Sequence, residues 1–427
     1  MSAQPTQPIR KSVVMMVLVA LIAVAASLAY YFRPHPQPQN EAQISSTEDS
    51  KPAPLTPAPT TPESTSPQPT TQVPRNSIPR PSQPVTEATA SPYARQLVAA
   101  LAQSNITNGP LTPEKLAAWQ STIQQLTNAG PGVIPAIREF LQTKQDAMFD
   151  SLGGSATLGQ PSLRLAMLDA LSKIGGPEAV ALTGETLRST TDPREIATLA
   201  RNLEQQAPGE FRQTAVDSAR AALNDAIAGK LSNTDVAALF SVLQAYGGAD
   251  VASDLQNAKG RYTYYSAIAL AGLPDGAGVP GLTEMAQDLS PGARTTRSAA
   301  LQSLAQLAAD SPAAREAFLQ QASNGSLPAA TWIKISALLG GEQLQLGGQP
   351  DSGIPETGER KVSTYHLAGG NQNFYTTSIV DKLSADQINQ RLQLIDQLLP
   401  LNHDQAATDS LQRARNALAG RLQTGAK

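Results

Sequence analysis

Leu163-Arg-Leu165-Ala-Met-Leu168-Asp-Ala-Leu171-Ser-Lys-Ile174-Gly175-Gly176-Pro177-Glu-Ala-Val180-Ala-Leu182-Thr-Gly-Glu-Thr-Leu187 reads as two helices and the turn between them. Leu163, Leu165, Leu168, Leu171 and Ile174 recur at helical spacing and predict one buried stripe. Gly175-Gly176-Pro177 ends that helix and starts the next, since glycine accepts the left-handed turn and proline fits a first helical turn. Val180, Leu182 and Leu187 then mark the stripe of the partner helix. The pattern recurs on both sides. Thr112-Pro113-Glu114 opens a helix with Leu116, Trp119, Ile123 and Leu126, Gly130-Pro131-Gly132 turns the chain, and Val133, Ile134, Ile137, Phe140 and Leu141 follow. Asp192-Pro193 opens another, with Ile196, Leu199 and Leu203, closed by Ala207-Pro208-Gly209. Further turns follow at Gly247-Gly248, at Gly272 and at Asp310-Ser-Pro312. The turns lie about 25–45 residues apart, the period of helical hairpins that bury their apolar faces only by stacking on neighbours.

Two segments carry a family likeness. Leu187-Arg-Ser-Thr-Thr-Asp192-Pro-Arg194-Glu-Ile-Ala197-Thr-Leu-Ala200-Arg-Asn-Leu203 and Pro291-Gly-Ala-Arg-Thr-Thr-Arg297-Ser-Ala299-Ala-Leu301-Gln-Ser-Leu304 resemble the inter-repeat turn and first helix of HEAT repeats. The resemblance spans residues 110–322, with irregular spacing. It implies an all-α, right-handed α-solenoid of HEAT-like hairpins over 93–339, and solenoids of that kind present long surfaces to protein partners.

The N-terminal part of the chain is different. Val13–Phe32 is twenty residues without charge, proline or glycine. As a helix it spans roughly 30 Å, the thickness of a bilayer's hydrocarbon core, so 13–32 is expected to be a transmembrane signal anchor after a short tail, 1–12. Arg10 and Lys11 precede the run and Tyr30, Tyr31 and Phe32 edge it, which places the N-terminus in the cytoplasm and exports the rest to a periplasmic or extracellular space. Cleavage near Ala29, after the small-x-small pattern Ser27-Leu28-Ala29, is the alternative. Fifteen of the 33 prolines fall in 34–92, so 33–92 is expected to be a disordered Pro/Thr/Ser-rich linker spanning roughly 40–45 Å as a flexible coil.

After residue 339 the helical pattern breaks. Over 340–383, Lys361–Leu367 and Phe374–Val380 alternate like strands and predict a short β-hairpin near 360–380 turning at Gly369-Gly370-Asn371. Helices over 385–399 and 404–422 then form a capping hairpin within 384–427.

Chemistry is sparse. The chain has no cysteine and only three histidines, His35, His366 and His403, none clustered, so no metal site, cofactor or catalytic motif is expected. Gly276-Ala-Gly278-Val-Pro-Gly281 matches a dinucleotide pattern in letters only, because a helical segment rather than a strand precedes it. Thirty-two basic residues against 35 acidic ones argue against a nucleic-acid surface. The candidate partner contacts are Tyr262, Tyr264 and Tyr265, Arg294 and Arg297, and Tyr365 and Tyr375. The three clustered tyrosines form either an exposed contact strip or rings packed between repeats, packing being the favoured reading. Arg294 and Arg297, with Arg261 nearby in sequence, mark either a basic patch or a solvated face. The leading functional expectation is a membrane-tethered scaffold for an unknown protein or peptide. An enzyme or enzyme subunit using Tyr365, His366 and Tyr375, and a structural cell-envelope protein, are the alternatives.

Overall fold

Side-chain caps set where the helices begin. Ser91 accepts from the amide of Ala94 at 3.1 Å and starts α1 (Pro92–Ala102). Pro92 is thus the first residue of a helix, where its missing N–H costs nothing, and not the end of the linker. Thr112 caps α2 (Pro113–Asn128), and Asp192 takes two amides at the start of α6 (Pro193–Gln206), at 2.8 and 3.1 Å. A computed structural model describes residues 89–104, 106, 111–149, 158–231, 234–324, 327, 329–347, 361–367, 370–402 and 404–425, with backbone alone at 329, 361–367, 370, 371 and 425. The expected membrane span Val13–Phe32 and the expected linker up to residue 88 lie outside the described residues. Among those described, no helix is long and apolar enough to cross a membrane.

The protein is mostly helical, with sixteen α-helices among the described residues. Between α2 and α6 lie α3 (Ile134–Gln142), α4 (Leu163–Ile174) and α5 (Gly176–Ser189). After α6 come α7 (Arg212–Ile227), α8 (Ala237–Tyr246), α9 (Ala252–Asn257), α10 (Thr263–Ala271), α11 (Val279–Gln287), α12 (Arg294–Leu307), α13 (Pro312–Ser323) and α14 (Ala329–Leu339). A three-stranded sheet follows, then α15 (Ala385–Leu398) and α16 (Gln405–Gly425).

The helices pack in two rows. From α2 to α16 each even-numbered helix packs on the next even-numbered one. Along the odd row α1, α3, α5 and α7 pack in succession, and so do α9, α11 and α13. Arg220 of α7 and Asp254 of α9 join those two stretches at 2.6 Å. Buried leucines fill the space between the rows: Leu171, Leu187, Leu199, Leu203, Leu239, Leu243, Leu282 and Leu304 are each fully enclosed. Polar contacts repeat with the stack. Asn202 reaches the carbonyl of Leu168, Gln206 reaches Ser172, Thr263 meets Thr296 and Ser298 meets Thr331, at separations of 33 or 34 residues. Gly278, within the dinucleotide-like letters, lies between the helices α10 and α11, and a Cβ there would sit 2.0 Å from the carbonyl oxygen of Leu270. This glycine serves close helix packing.

The sheet is antiparallel, in the order β1-β3-β2, with β1 Glu342–Leu346, β2 Lys361–Leu367 and β3 Gly370–Ser378. Strand β2 lies where alternation predicts it, whereas β3 begins four residues before the expected Phe374 and ends at Ser378, so Gly370 and Asn371, expected in the turn, pair within the strand. The first strand, Glu-Gln-Leu-Gln-Leu between glycines, was not expected, because five residues with two leucines carry too little pattern to stand alone. The sheet rests on the even row, with β1 packed on α8, α10, α12 and α14 and β3 on α10. Every residue of α10 is therefore buried, with helices around it and the sheet on top.

Candidate interaction surface

The sequence-predicted residues separate into a buried group and an exposed one. The start of α10 has no side-chain cap from its own segment. Gln372, in β3 and more than a hundred residues away, supplies one. Its Oε1 accepts from the amides of Tyr264 and Tyr265 at 2.9 and 3.3 Å, and its Nε2 donates to the carbonyl of Arg261 at 3.1 Å. A fully buried amide thus satisfies both donors and an acceptor at a helix start, which a charged or apolar side chain cannot do.

The tyrosines complete this joint. Tyr264 stacks on Phe374 of β3 with ring centres 4.8 Å apart. The Tyr265 hydroxyl donates to Asp235 at 2.9 Å and accepts from the amide of Asn373 at 2.7 Å. Burial, then the negative charge of Asp235, pushes its pKa far above the ordinary tyrosine value. Tyr262 donates to the carbonyl of Ala226 at 3.3 Å and lies edge-on to Phe240. All three rings are buried, at 3% exposure or less. This corrects their reading as an exposed contact strip: the cluster is the joint between the helical rows and the sheet. Tyr375 lies half-buried in β3, and the backbones of Tyr365 and His366 lie in β2 opposite Gln372 and Asn371.

Arg261 makes its contact with the tyrosine cluster and does not line the pocket of the other two arginines. Its guanidinium lies over the Tyr262 ring, 5.9 Å from the centroid, and its Nε is buried. Arg294 and Arg297 occupy the first turn of α12 and line a pocket of about 260 Å³ with Asp288, Leu289, Ser298 and Thr331. Arg294 is exposed. Arg297 is half-buried, donates from Nε to the carbonyl of Ala286 at 3.0 Å, and has its pKa lowered by desolvation. Leu289 stands at the mouth of this pocket, 74% exposed. An exposed leucine, an exposed arginine and a half-buried arginine thus line one small hollow, and arginine is a residue enriched at protein interfaces.

Other hollows are walled by structural pairs. One of about 520 Å³ surrounds the ion pair of Arg164 and Glu195, 2.5 Å apart and mostly buried. Another, of about 810 Å³, lies between α13 and α15, lined by Asp310, Arg315, Leu319, Gln390 and Gln397 among others. Arg391 of α15 is buried close by and donates to the last carbonyls of α14, Leu338 and Leu339, at 2.9 and 3.3 Å. A cation at a helix C-terminus is favourably placed, and it fastens the C-terminal hairpin to the even row. Among the described residues no three His, Asp or Glu side chains are gathered to hold a metal.

No protein-family model matches the chain, and no curated protein matches it. Among solved structures, one described as "Computational Design of Self-Assembling Cyclic Protein Homooligomers" aligns at 10% identity over 78% of this chain and 91% of its own, with a TM-score of 0.13. A likeness at that score carries no argument, so the functional reading rests on this chain's own residues. Gln372, Asp235 and Arg391 escaped sequence reasoning because their partners are remote in the chain. Leu289 escaped because a lone leucine in a polar loop has no periodicity to mark it.

Proposed function

We propose that the protein is a membrane-tethered α-solenoid scaffold, built of HEAT-like hairpins, that holds a protein partner on the exported side of the membrane. The observation that carries this reading is the stacking of even helices on even helices from α2 to α16 and of odd helices on odd in two stretches, with polar contacts that join residues 33 or 34 apart in sequence. Stacked hairpins of this kind expose long, semi-rigid faces suited to binding other proteins. The apolar run Val13–Phe32 and the fourteen prolines between residues 34 and 91 support the anchor and tether.

The face at Leu289, Arg294 and Arg297 is the contact region we assign to the partner. A leucine at 74% exposure gains little from the fold and much from being covered. Affinity isolation of the full chain from its own membranes tests this reading. Proteins recovered with the natural chain are expected to be lost with Leu289→Glu and with Arg294→Glu, while thermal stability stays within about 0.5 kcal/mol, as for ordinary surface changes. Recovery unaffected by both substitutions would remove this face from the account.

A further inference from the structure

We propose that the outer edge of β2 pairs with the same edge of a second copy of this chain, continuing the sheet across a two-fold axis. The inference is independent of the partner surface at Leu289.

The two edges of the sheet are treated differently. The outer edge of β1 is closed: β1 packs on four helices, and the amide of Leu344 donates to Oε1 of Gln306 at 2.7 Å. Strand β2 packs chiefly on β3, and among the described residues no strand lies on its other side. It also lacks the usual protections of an exposed edge. Lys361-Val-Ser-Thr-Tyr-His-Leu367 has no proline, no glycine and no carboxylate, and its one lysine is at its end.

The pairing register tells which backbone groups are free. Leu344 turns its amide away from β3, so its neighbours Gln343 and Gln345 bond to β3, opposite Thr377 and Tyr375. The amide of Ile379 donates to the carbonyl of Gly341 at 2.8 Å, which gives the same parity. The odd-numbered residues of β3 therefore face β1, and Gln372, Phe374 and Thr376 face β2. Their partners Tyr365, Ser363 and Lys361 are the bonded positions. Val362, Thr364 and His366 are left with N–H and C=O directed outward.

These three positions are symmetric about Thr364. An antiparallel second copy centred on Thr364 sets Thr364 against Thr364, and Val362 against His366 twice, with two hydrogen bonds exchanged at each of the three positions. Registers centred elsewhere on this strand use fewer of these groups. The charges agree with the arrangement. Lys361 falls opposite Leu367, so the two lysines lie at opposite ends of the joint, roughly 20 Å apart at strand rise. Threonine pairs and pairs of β-branched with ring residues are favourable cross-strand neighbours.

Sedimentation equilibrium of the full chain in mild detergent, across a range of concentrations, tests the pairing. The natural chain is expected to dimerise with concentration. Thr364→Pro removes the central outward donor and leaves the β2–β3 bonds in place, so dimer should be lost with the helical signal unchanged. Thr364→Lys and Thr364→Glu keep the donor but set like charges face to face. Each alone should be monomeric, and an equal mixture should recover the dimer. The charge pair carries the test if the proline variant fails to fold. A natural chain that stays monomeric throughout, a dimer indifferent to these changes, or a mixture that stays monomeric overturns the proposal.

Discussion

Tyr265 joins three parts of the protein through one oxygen. Its hydroxyl donates to Asp235 ahead of α8, accepts from the amide of Asn373 in β3, and its ring packs in the even row against Phe240. Tyr265→Phe keeps the ring and leaves the Asn373 amide without its acceptor, at an expected cost of about 1–3 kcal/mol in chemical denaturation. The sign of the pH effect follows from the raised pKa. The folded protein holds the neutral phenol, so this contribution is complete below the ordinary tyrosine pKa near 10 and is lost as pH rises above it. The stability gap between the natural chain and Tyr265→Phe should therefore narrow above about pH 10. A gap that is constant from pH 8 to pH 11 would show that the hydroxyl does not remain neutral as described.

At the scale of elements, the joint between β3 and α10 decides whether the sheet stays on the helices. Gln372→Leu keeps the volume but leaves two amides and a carbonyl at the start of α10 without partners. The expected cost is roughly 2–4 kcal/mol, concentrated on local opening. Hydrogen exchange should quicken at Tyr264, Tyr265 and along β3 while α4 to α6 remain protected. Equal acceleration along the whole chain would mean that the sheet is not a separately docked element. The legibility of these elements follows from where their information lies. Hairpin helices such as α4 and α5 were readable because leucine spacing, capping residues and turn glycines are all local. Strand β2 was readable by alternation, and β3 only in its second half. Strand β1 was not, because its pairing with β3 and its cover of four helices supply what its five residues lack. The tyrosine cluster was ambiguous for a related reason. Its burial depends on Gln372 and Phe374, which are adjacent to it only once the sheet has docked.

For the whole molecule, burial between the rows outweighs the ion pairs on the surface. The Arg220–Asp254 pair is about a third exposed on each side, and such pairs contribute roughly 0–1 kcal/mol. Leu304 is fully enclosed where α12 packs in the even row, and Leu304→Ala should cost about 2–5 kcal/mol. Arg220→Ala should therefore shift the unfolding midpoint by a small fraction of the shift from Leu304→Ala. Comparable shifts would mean that charge, not apolar stacking, holds the rows together. The stacked frame in turn gives a loop residue such as Leu289 a fixed position, and that is what a scaffold requires. The most direct measurement is site-specific photo-crosslinking in intact cells. The photoreactive residue would replace Leu289, with a control at Lys173, which is exposed on α4. The scaffold reading predicts one dominant protein adduct from position 289, absent from position 173 and abolished by Arg294→Glu. Equal, diffuse labelling from both positions, unchanged by Arg294→Glu, would contradict it.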